Sequence, residues 1–417
     1  MSETGDSRLP EVLILGAFPF PEGAAASNVL RGHARAILAA GYGVGMLADQ
    51  LDGRDVDRMP DRDYCYRGIP YWSVHRRKTK PRFLRLFDTL LARNDDFLAW
   101  LGSRRSLTGV RAICVYPGSW GTVPLIWRLR RLCHEHGIKL FVFVVEWHEL
   151  RHFVPGVVGF LGILDGELQR RWLNRRVDGV LCISRYLQDY YRKTDALAVR
   201  FPPLLDLHDP IYSATAGSAG PTQQGEVVVQ FAGSAARDRH DLILRAVRDV
   251  RIGGLNVVLE YIGSSREAVA SLPGVQPELL AQLGDAVRFR GRVSAQALAP
   301  IMAAAHFGLL FREDSRWSRA CFPSKVPEYL AHGVPLLCNL SSDLREYLMD
   351  GRNALLVADL TVESLAATLR RAASLSPTAY QRMRDDARMS ASAFDGRRYS
   401  STYSEILGGA SPISQKI

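Results

Sequence analysis

The chain has 417 residues, 47% of them hydrophobic and 23% charged, an ordinary globular balance that excludes a wholly disordered or collagen-like protein. No uncharged apolar run reaches the roughly 18 residues of a membrane-spanning helix. The polar start MSETGDSRLPEV lacks the basic and apolar regions of a secretory leader, so a cytoplasmic location is expected.

The net charge of +10 is uneven: residues 1–205 hold 30 Lys and Arg against 21 Asp and Glu, and the remainder holds 23 against 22. A basic surface attracts polyanions such as nucleic acid, acidic lipid or a phosphorylated substrate. The six cysteines form no CxxC pair, and no Cys/His set has metal-ligand spacing. Neither a metal site nor a disulfide framework is therefore expected.

In chain order, the apolar run Glu11–Leu15 predicts a buried strand, and the turn-rich GAFPFPEGAAA (16–26) predicts a loop. A helix is expected over Ser27–Ala40, stopped by Gly41, and a second strand over Tyr42–Ala48. Strand, glycine-bearing loop and helix in that order open a parallel α/β sheet. Strands expected at Ala112–Tyr116, Leu140–Val145 and Gly179–Ile183, with helices at Pro124–His136 and Asp165–Arg176, continue the crossover pattern.

Two segments of this half stand out for basic and apolar character. Arg76-Arg-Lys-Thr-Lys-Pro-Arg82 runs into Phe83–Leu91, where apolar residues recur at helical spacing. Val154–Leu164 carries no charge, is too short to span a bilayer, and reads as a loop for its Gly and Pro; Arg170, Arg171, Arg175 and Arg176 follow it. These features suit peripheral contact with an anionic membrane on the cytoplasmic side, and equally a core helix with a solvated face. The arginines are not interleaved with a nucleic-acid motif, so no nucleic-acid partner is expected.

Residues 206–224 lose all periodicity and read as a linker. A second alternating series follows. Strands are expected at Val227–Ala232, Val257–Ile262, Val287–Arg290, Gly308–Phe311, Pro335–Asn339 and Ala354–Val357. The helices between them are Asp241–Val250, Ser294–Ala305, Ser324–His332 and Val362–Ser374. The expected organisation is a Rossmann-like domain over 1–205, a linker over 206–224 and a second such domain over 225–376. Helices over 377–417 are expected to pack back on the first domain.

The most informative stretch is Cys321-Phe-Pro-Ser-Lys-Val-Pro-Glu-Tyr-Leu-Ala-His-Gly-Val-Pro335. Ser324 is a candidate N-cap, Pro327 is tolerable in a first turn, and Gly333 ends the helix. Lys325 and Glu328 then share a face near the helix start. A lysine at a helix N-terminus suits an anion, whereas a carboxylate suits vicinal hydroxyls such as those of a ribose. Together they read as a nucleoside-diphosphate site. The same spacing also fits a surface helix with an ordinary charged first turn. In FAGSAARDRHD (231–241), Gly233 permits close backbone approach, and Arg237 or Arg239 is a candidate for a diphosphate oxygen.

The SKVPEYLAHGVP run (324–335) resembles the donor-site signature of the retaining glycosyltransferases of family 4. The supporting pieces stand in order. The Gly233 loop resembles that family's diphosphate-binding loop. Val287–Val293, including Arg292 and Val293, resembles the segment contacting the nucleotide base. Asp343–Val357 resembles the segment after the donor helix. Asp178–Ser184 and Arg200–Asp206 resemble the last strand of the first domain and its exit. The resemblance implies a GT-B fold, two Rossmann-like doubly wound domains facing each other across a cleft. It implies transfer of a sugar, with retention, from a UDP- or GDP-type donor without metal or cofactor. The acceptor would be a saccharide, a lipid-linked molecule or a small molecule, in polysaccharide or glycoconjugate synthesis.

Ser324, Lys325, Glu328, Gly233, Arg237 and Arg239 fall within the implied donor site, and Gly23 in the first loop would approach the diphosphate. His148, in Glu146-Trp-His148 beyond a strand's carboxyl end, is a candidate for a sugar hydroxyl, although a structural histidine fits as well. One departure stands out: where many members carry a first glutamate, this chain has Ala320, with Glu313 and Asp314 earlier. The arginines of the diphosphate loop also replace a more usual Lys-Gly pair. A GT-B sugar-nucleotide epimerase and a catalytically inert nucleotide-sugar-binding subunit remain the other readings.

Overall fold

A computed structural model describes residues 9–51, 63–74, 93–103, 107–118, 122–147, 157–194, 196–213 and 225–409. The chain divides into two compact units, Met1–Asp206 with Gly396–Ile417, and Leu207–Asp395.

Among the described residues, the first unit is built on an eight-stranded sheet. Its strands are β1 (Val12–Phe20), β2 (Val44–Leu51), β3 (Tyr64–Tyr66), β4 (Ile69–Ser73), β5 (Ala112–Tyr116), β6 (Lys139–Val144), β7 (Gly179–Cys182) and β8 (Ala198–Arg200). The spatial order is β3-β4-β2-β1-β5-β6-β7-β8. The pairs are parallel except β3–β4, which is antiparallel. Val12, Leu13, Ile14 and Leu15 are all fully buried, because helices cover both faces of a parallel sheet and leave no polar side.

The second unit holds a six-stranded parallel sheet, β9 (Val227–Ala232), β10 (Val257–Ile262), β11 (Val287–Phe289), β12 (Phe307–Leu310), β13 (Leu336–Cys338) and β14 (Ala354–Leu356). Its order is β11-β10-β9-β12-β13-β14. Both sheets are therefore Rossmann-like and doubly wound, each strand order reversing once. The reversal lies between β1 and β5 in the first sheet and between β9 and β12 in the second. Open α/β sheets bind ligands beyond the strands' carboxyl ends at such a reversal.

Several elements depart from expectation. β1 runs on to Phe20 through residues read as a turn, with a register shift between Gly16 and Pro19. Gly16 makes this possible: at φ 152° a Cβ would sit 2.0 Å from the Tyr116 carbonyl oxygen, so β5 could not pair so closely with any other residue there. Of the uncharged stretch read as a loop, residues 157–164 are helical, in Val157–Arg171, and 154–156 lie outside the described residues; a 3-10 turn Leu173–Arg176 follows. Residues 214–224 of the expected linker lie outside the described residues. Before them, Pro210–Tyr212 forms a 3-10 turn whose Asp209 carboxylate accepts the Ile211 N–H at 3.1 Å.

The expected boundary at 376 also moves. Helix Pro377–Ala391 packs on helix Lys325–Ala331 within the second unit, and the chain rejoins the first only at Gly396, whose N–H donates to the Leu205 carbonyl at 2.9 Å. There helix Ser400–Gly408 is anchored by Lys139, whose ammonium donates to the carbonyls of Ile406 and Leu407, each at 3.0 Å, and to that of Gly409. Buried His33 meets the Tyr403 hydroxyl at 2.8 Å. Asp206 takes Arg35 at 2.7 Å and Arg397 at 3.0 Å. Burial works against that carboxylate's charge, but the two guanidiniums hold its pKa below the ordinary value.

Candidate functional site

The loops beyond β9 and β12 flank the reversal in the second sheet and carry most of the residues singled out from sequence. After β9 the backbone turns at Gly233, where φ is 133° and a side chain would be strained. The Ser264 hydroxyl pins this turn, donating to the Gly233 carbonyl at 2.9 Å and accepting the Ala235 N–H at 3.1 Å. A 3-10 turn Ala235–Arg237 follows. Asp238, its side chain fully buried, accepts the Phe311 N–H at 2.9 Å and pairs with Arg312 at 3.1 Å. The two loops are thus locked together.

The two candidate arginines separate. Arg239 grips Asp241 with two bonds, 2.8 and 2.7 Å, and reaches Glu313 at 3.1 Å. It serves as a loop tie whose bonding is consumed by carboxylates. Arg237 is exposed, its guanidinium 5.1 Å from the ring centre of Trp317, which also carries Arg312 at 5.4 Å. Arg312, at the end of β12, was not expected from sequence. Its only local signal is an arginine directly after an apolar strand.

Helix Lys325–Ala331 follows the β12 loop. Ser324 does not cap it: its backbone is already helical (φ −61°, ψ −19°), and its hydroxyl makes no cap bond. The reason is that the Pro323 carbonyl takes the Val326 N–H at 3.0 Å, closing the first turn with backbone alone. Gly333 ends the helix at φ 68° as expected. The helix is seated by Tyr329, whose ring lies where a Cβ at Gly308 would come within 2.6 Å, so β12 needs glycine at that point. The Tyr329 hydroxyl donates to the Gln230 carbonyl at 3.0 Å; the Gln230 amide donates to Glu260 at 2.8 Å; Arg290 closes the series on Glu260 at 2.7 Å. This polar chain, buried as far as Glu260, runs from the helix across β9 and β10 to the half-exposed Arg290 just past β11.

Lys325 and Glu328 stand one turn apart, Nζ 2.7 Å from Oε2. The Glu328 side chain is only 4% exposed and that of Lys325 24%. The other oxygen, Glu328 Oε1, is buried and accepts no hydrogen bond. An unsatisfied buried carboxylate oxygen costs about 1–3 kcal/mol or more, and such an exception calls for an explanation. Below it His332, buried at the helix end, has its pKa lowered to about 4 by desolvation. It is neutral at pH 7 and adds no charge beside Glu328.

Ala320 is fully buried in the short helix Arg316–Ala320. Glu313 is held by Arg239, and Asp314 pairs with Arg319 at 3.2 Å. Arg292 is exposed and Val293 half-buried in the loop after β11, whose Gly291 carbonyl accepts the Gly263 N–H at 2.7 Å. Gly23 lies in the first unit, exposed in the loop after β1, beside that sheet's own reversal. His148 lies outside the described residues.

Residues 226–374 match the family model described as "Glycosyl transferases group 1". No curated protein sequence matches the chain. Among solved structures, the chain resembles a sucrose-phosphate synthase of Thermosynechococcus elongatus, with a TM-score of 0.66 at 17% identity, covering 95% of this chain and 99% of that one. It also resembles HepE of Anabaena in complex with UDP and glucose, with a TM-score of 0.63 at 14% identity over 96% and 100% of the two chains. A third is a UDP-forming α,α-trehalose-phosphate synthase of Burkholderia xenovorans in complex with glucose-6-phosphate, with a TM-score of 0.63 at 12% identity over 96% and 100%. The fold is GT-B: two parallel-sheet, Rossmann-like domains. The class that this fold and the match over the second unit define is a glycosyltransferase.

Proposed function

We propose that the protein is a retaining, metal-independent glycosyltransferase that takes a sugar from a UDP- or GDP-type donor. The observation carrying the reading is Glu328, a buried carboxylate with one oxygen on Lys325 and the other accepting no bond. A ribose diol supplies hydroxyl donors to that oxygen. Lys325 has two further N–H donors for a diphosphate, and Arg237 extends from the loop fixed by Ser264 on the other side of the reversal. As the glycosidic bond breaks, charge grows on the leaving diphosphate, and cations fixed there in advance lower the barrier. No side chain is assigned as a covalent nucleophile. The acceptor attacks the face the diphosphate leaves, and retention follows. The acceptor is a saccharide, a lipid-linked molecule or a small molecule, within polysaccharide or glycoconjugate synthesis. The bound UDP named for HepE supports the donor class.

Incubation with UDP- and GDP-sugars tests the reading. Slow release of nucleoside diphosphate and sugar of retained configuration, unchanged by EDTA, is expected. Interconversion of the donor sugar without transfer would assign an epimerase, and tight binding without turnover an inert subunit. Loss of turnover in EDTA would overturn metal independence.

A further inference from the structure

Helix Val157–Arg171 of the first unit is amphipathic in the inverted sense. Its buried positions include Gly159, Gly162, Gln169 and Arg170, whereas Phe160 is 63% exposed, Leu164 and Leu168 45% each, and Trp172 just beyond its end 40%. Residues 160, 164, 168 and 172 recur every fourth position and so form one stripe. Trp127, 51% exposed on the neighbouring helix Thr122–His136, extends the stripe by stacking on Trp172, with ring centres 5.5 Å apart.

The acids of this helix are used locally. Asp165 accepts the Thr122 and Val123 N–H groups at 3.1 and 3.2 Å, tying the two helices together. Glu167 accepts the Trp147 indole N–H and pairs with Arg170 and Arg171. Gly166 lets Arg170 fold back, since a Cβ there would meet its guanidinium at 2.9 Å. The rim of the stripe is cationic, with Arg128, Arg175 and Arg176 exposed and Arg176 lying 4.3 Å from the Trp172 ring centre.

A contiguous apolar face is uncommon on a soluble monomer. Apolar and aromatic residues edged by arginines have the composition of a helix lying in a lipid headgroup boundary. Charge complementarity selects the lipid: exposed arginines beside the stripe match an anionic bilayer. We propose that this face docks the protein on an anionic membrane surface. The docking is independent of the reaction assigned above. Among the described residues no helix is long and apolar enough to cross a membrane, so the contact is peripheral. Arg76–Arg82 and Phe83–Leu91 lie outside the described residues.

Flotation of the full chain with vesicles of phosphatidylcholine alone, and with added phosphatidylglycerol, tests the proposal. Binding to the anionic vesicles, weakened by salt, is expected. The double variant Phe160→Ser/Leu164→Ser should lose binding on the order of tenfold or more. Arg175→Gln and Arg176→Gln should lose about fivefold each. These side chains already face water, so melting temperature and lipid-free donor turnover should stay at wild-type values; that check separates lost docking from misfolding and from failure of the glycosyltransferase reading. Equal flotation with both vesicle types, or variants binding like wild type, would overturn the proposal. So would absence of wild-type flotation together with a dimer in sedimentation that Phe160→Ser dissolves, which would assign the face to a second copy of the chain.

Discussion

The two sheets reverse their strand order in the same way, yet the reversals carry different chemistry. In the second unit the reversal gathers Asp238, Arg237, Arg239, Arg312, Lys325 and Glu328, most of them tied into ion pairs. In the first it is flanked by the short loop bearing Gly23. The excess positive charge nevertheless lies in residues 1–205, while the rest of the chain is nearly balanced. Net charge therefore does not locate the anion site. A built site keeps its cations beside carboxylates that orient them, so its charges nearly cancel in the count. Among the described residues of the first unit, exposed arginines stand at the rim of helix Val157–Arg171, away from that sheet's core.

The comparison breaks most visibly at the second reversal. Glu328→Gln and Lys325→Met should each lower donor turnover on the order of 100-fold, as removal of a transition-state contact does, with initial rates as the readout. Near-normal rates in both would mean that the pair is structural. In the first unit the largest expected effect is on stability. Asp206→Asn removes the acceptor shared by Arg35 and Arg397 and should cost about 1–2 kcal/mol, discounted because Arg397 is about a third exposed. Denaturant unfolding measures it. Because the folded pKa of Asp206 is depressed, this stabilisation is present above the unfolded value near 3.9 and is lost as pH falls through the lower folded value.

The two arginines of the β9 loop sharpen the division between site and scaffold. Arg237→Ala should lower turnover about tenfold with little change in melting, whereas Arg239→Ala should lower the melting temperature more than the turnover. The reverse pattern would exchange their roles. Finally, burial lowers the pKa of His33 to about 3 and those of His240 and His332 to about 4. Below pH 6.5 the unfolded chain binds protons that the folded chain refuses. Stability should therefore fall with acid by up to ~1.4 kcal/mol per pH unit for each histidine. Two of the three lie in the second unit and one in the first, so the second should show the steeper slope when acid unfolding is followed unit by unit, by hydrogen exchange.

What could be read from sequence, and what could not, follows from the range of the interactions. β9 and β10 have the expected bounds, because runs such as VVLEYI leave few alternatives in a sheet buried on both faces. The Lys325–Glu328 pair was legible because three-residue spacing within a helix is a local property. The β3–β4 hairpin was not read. Its two-residue turn is Arg67-Gly68, with φ of 50° and 80°, and arginine in a left-handed position gives no turn signal of the Asn-Gly kind. Ser324 looked like a cap, but backbone closure from Pro323 overrode it. The first half of helix Val157–Arg171 was hidden by its glycines and read as a loop, whereas its second half falls in the helix expected at Asp165–Arg176. The capture of Arg239 by Glu313 and the bond of Arg312 to Asp238 join residues more than 70 positions apart, and nothing local encodes them. The return of the chain to the first unit at Gly396 likewise rests on contacts with Gly32 and Leu205, far away in sequence.

The most direct measurement is calorimetric binding of UDP and GDP, each beside its 2′,3′-dideoxy analogue, to wild type and to Glu328→Gln. With Glu328 Oε1 accepting the ribose hydroxyls, wild type should prefer one ribonucleotide over its analogue by roughly tenfold to a hundredfold, the worth of hydrogen bonds to a charged group, and the variant should lose that preference. Equal affinity of wild type for nucleotide and analogue, or an undiminished preference in the variant, would contradict the assignment.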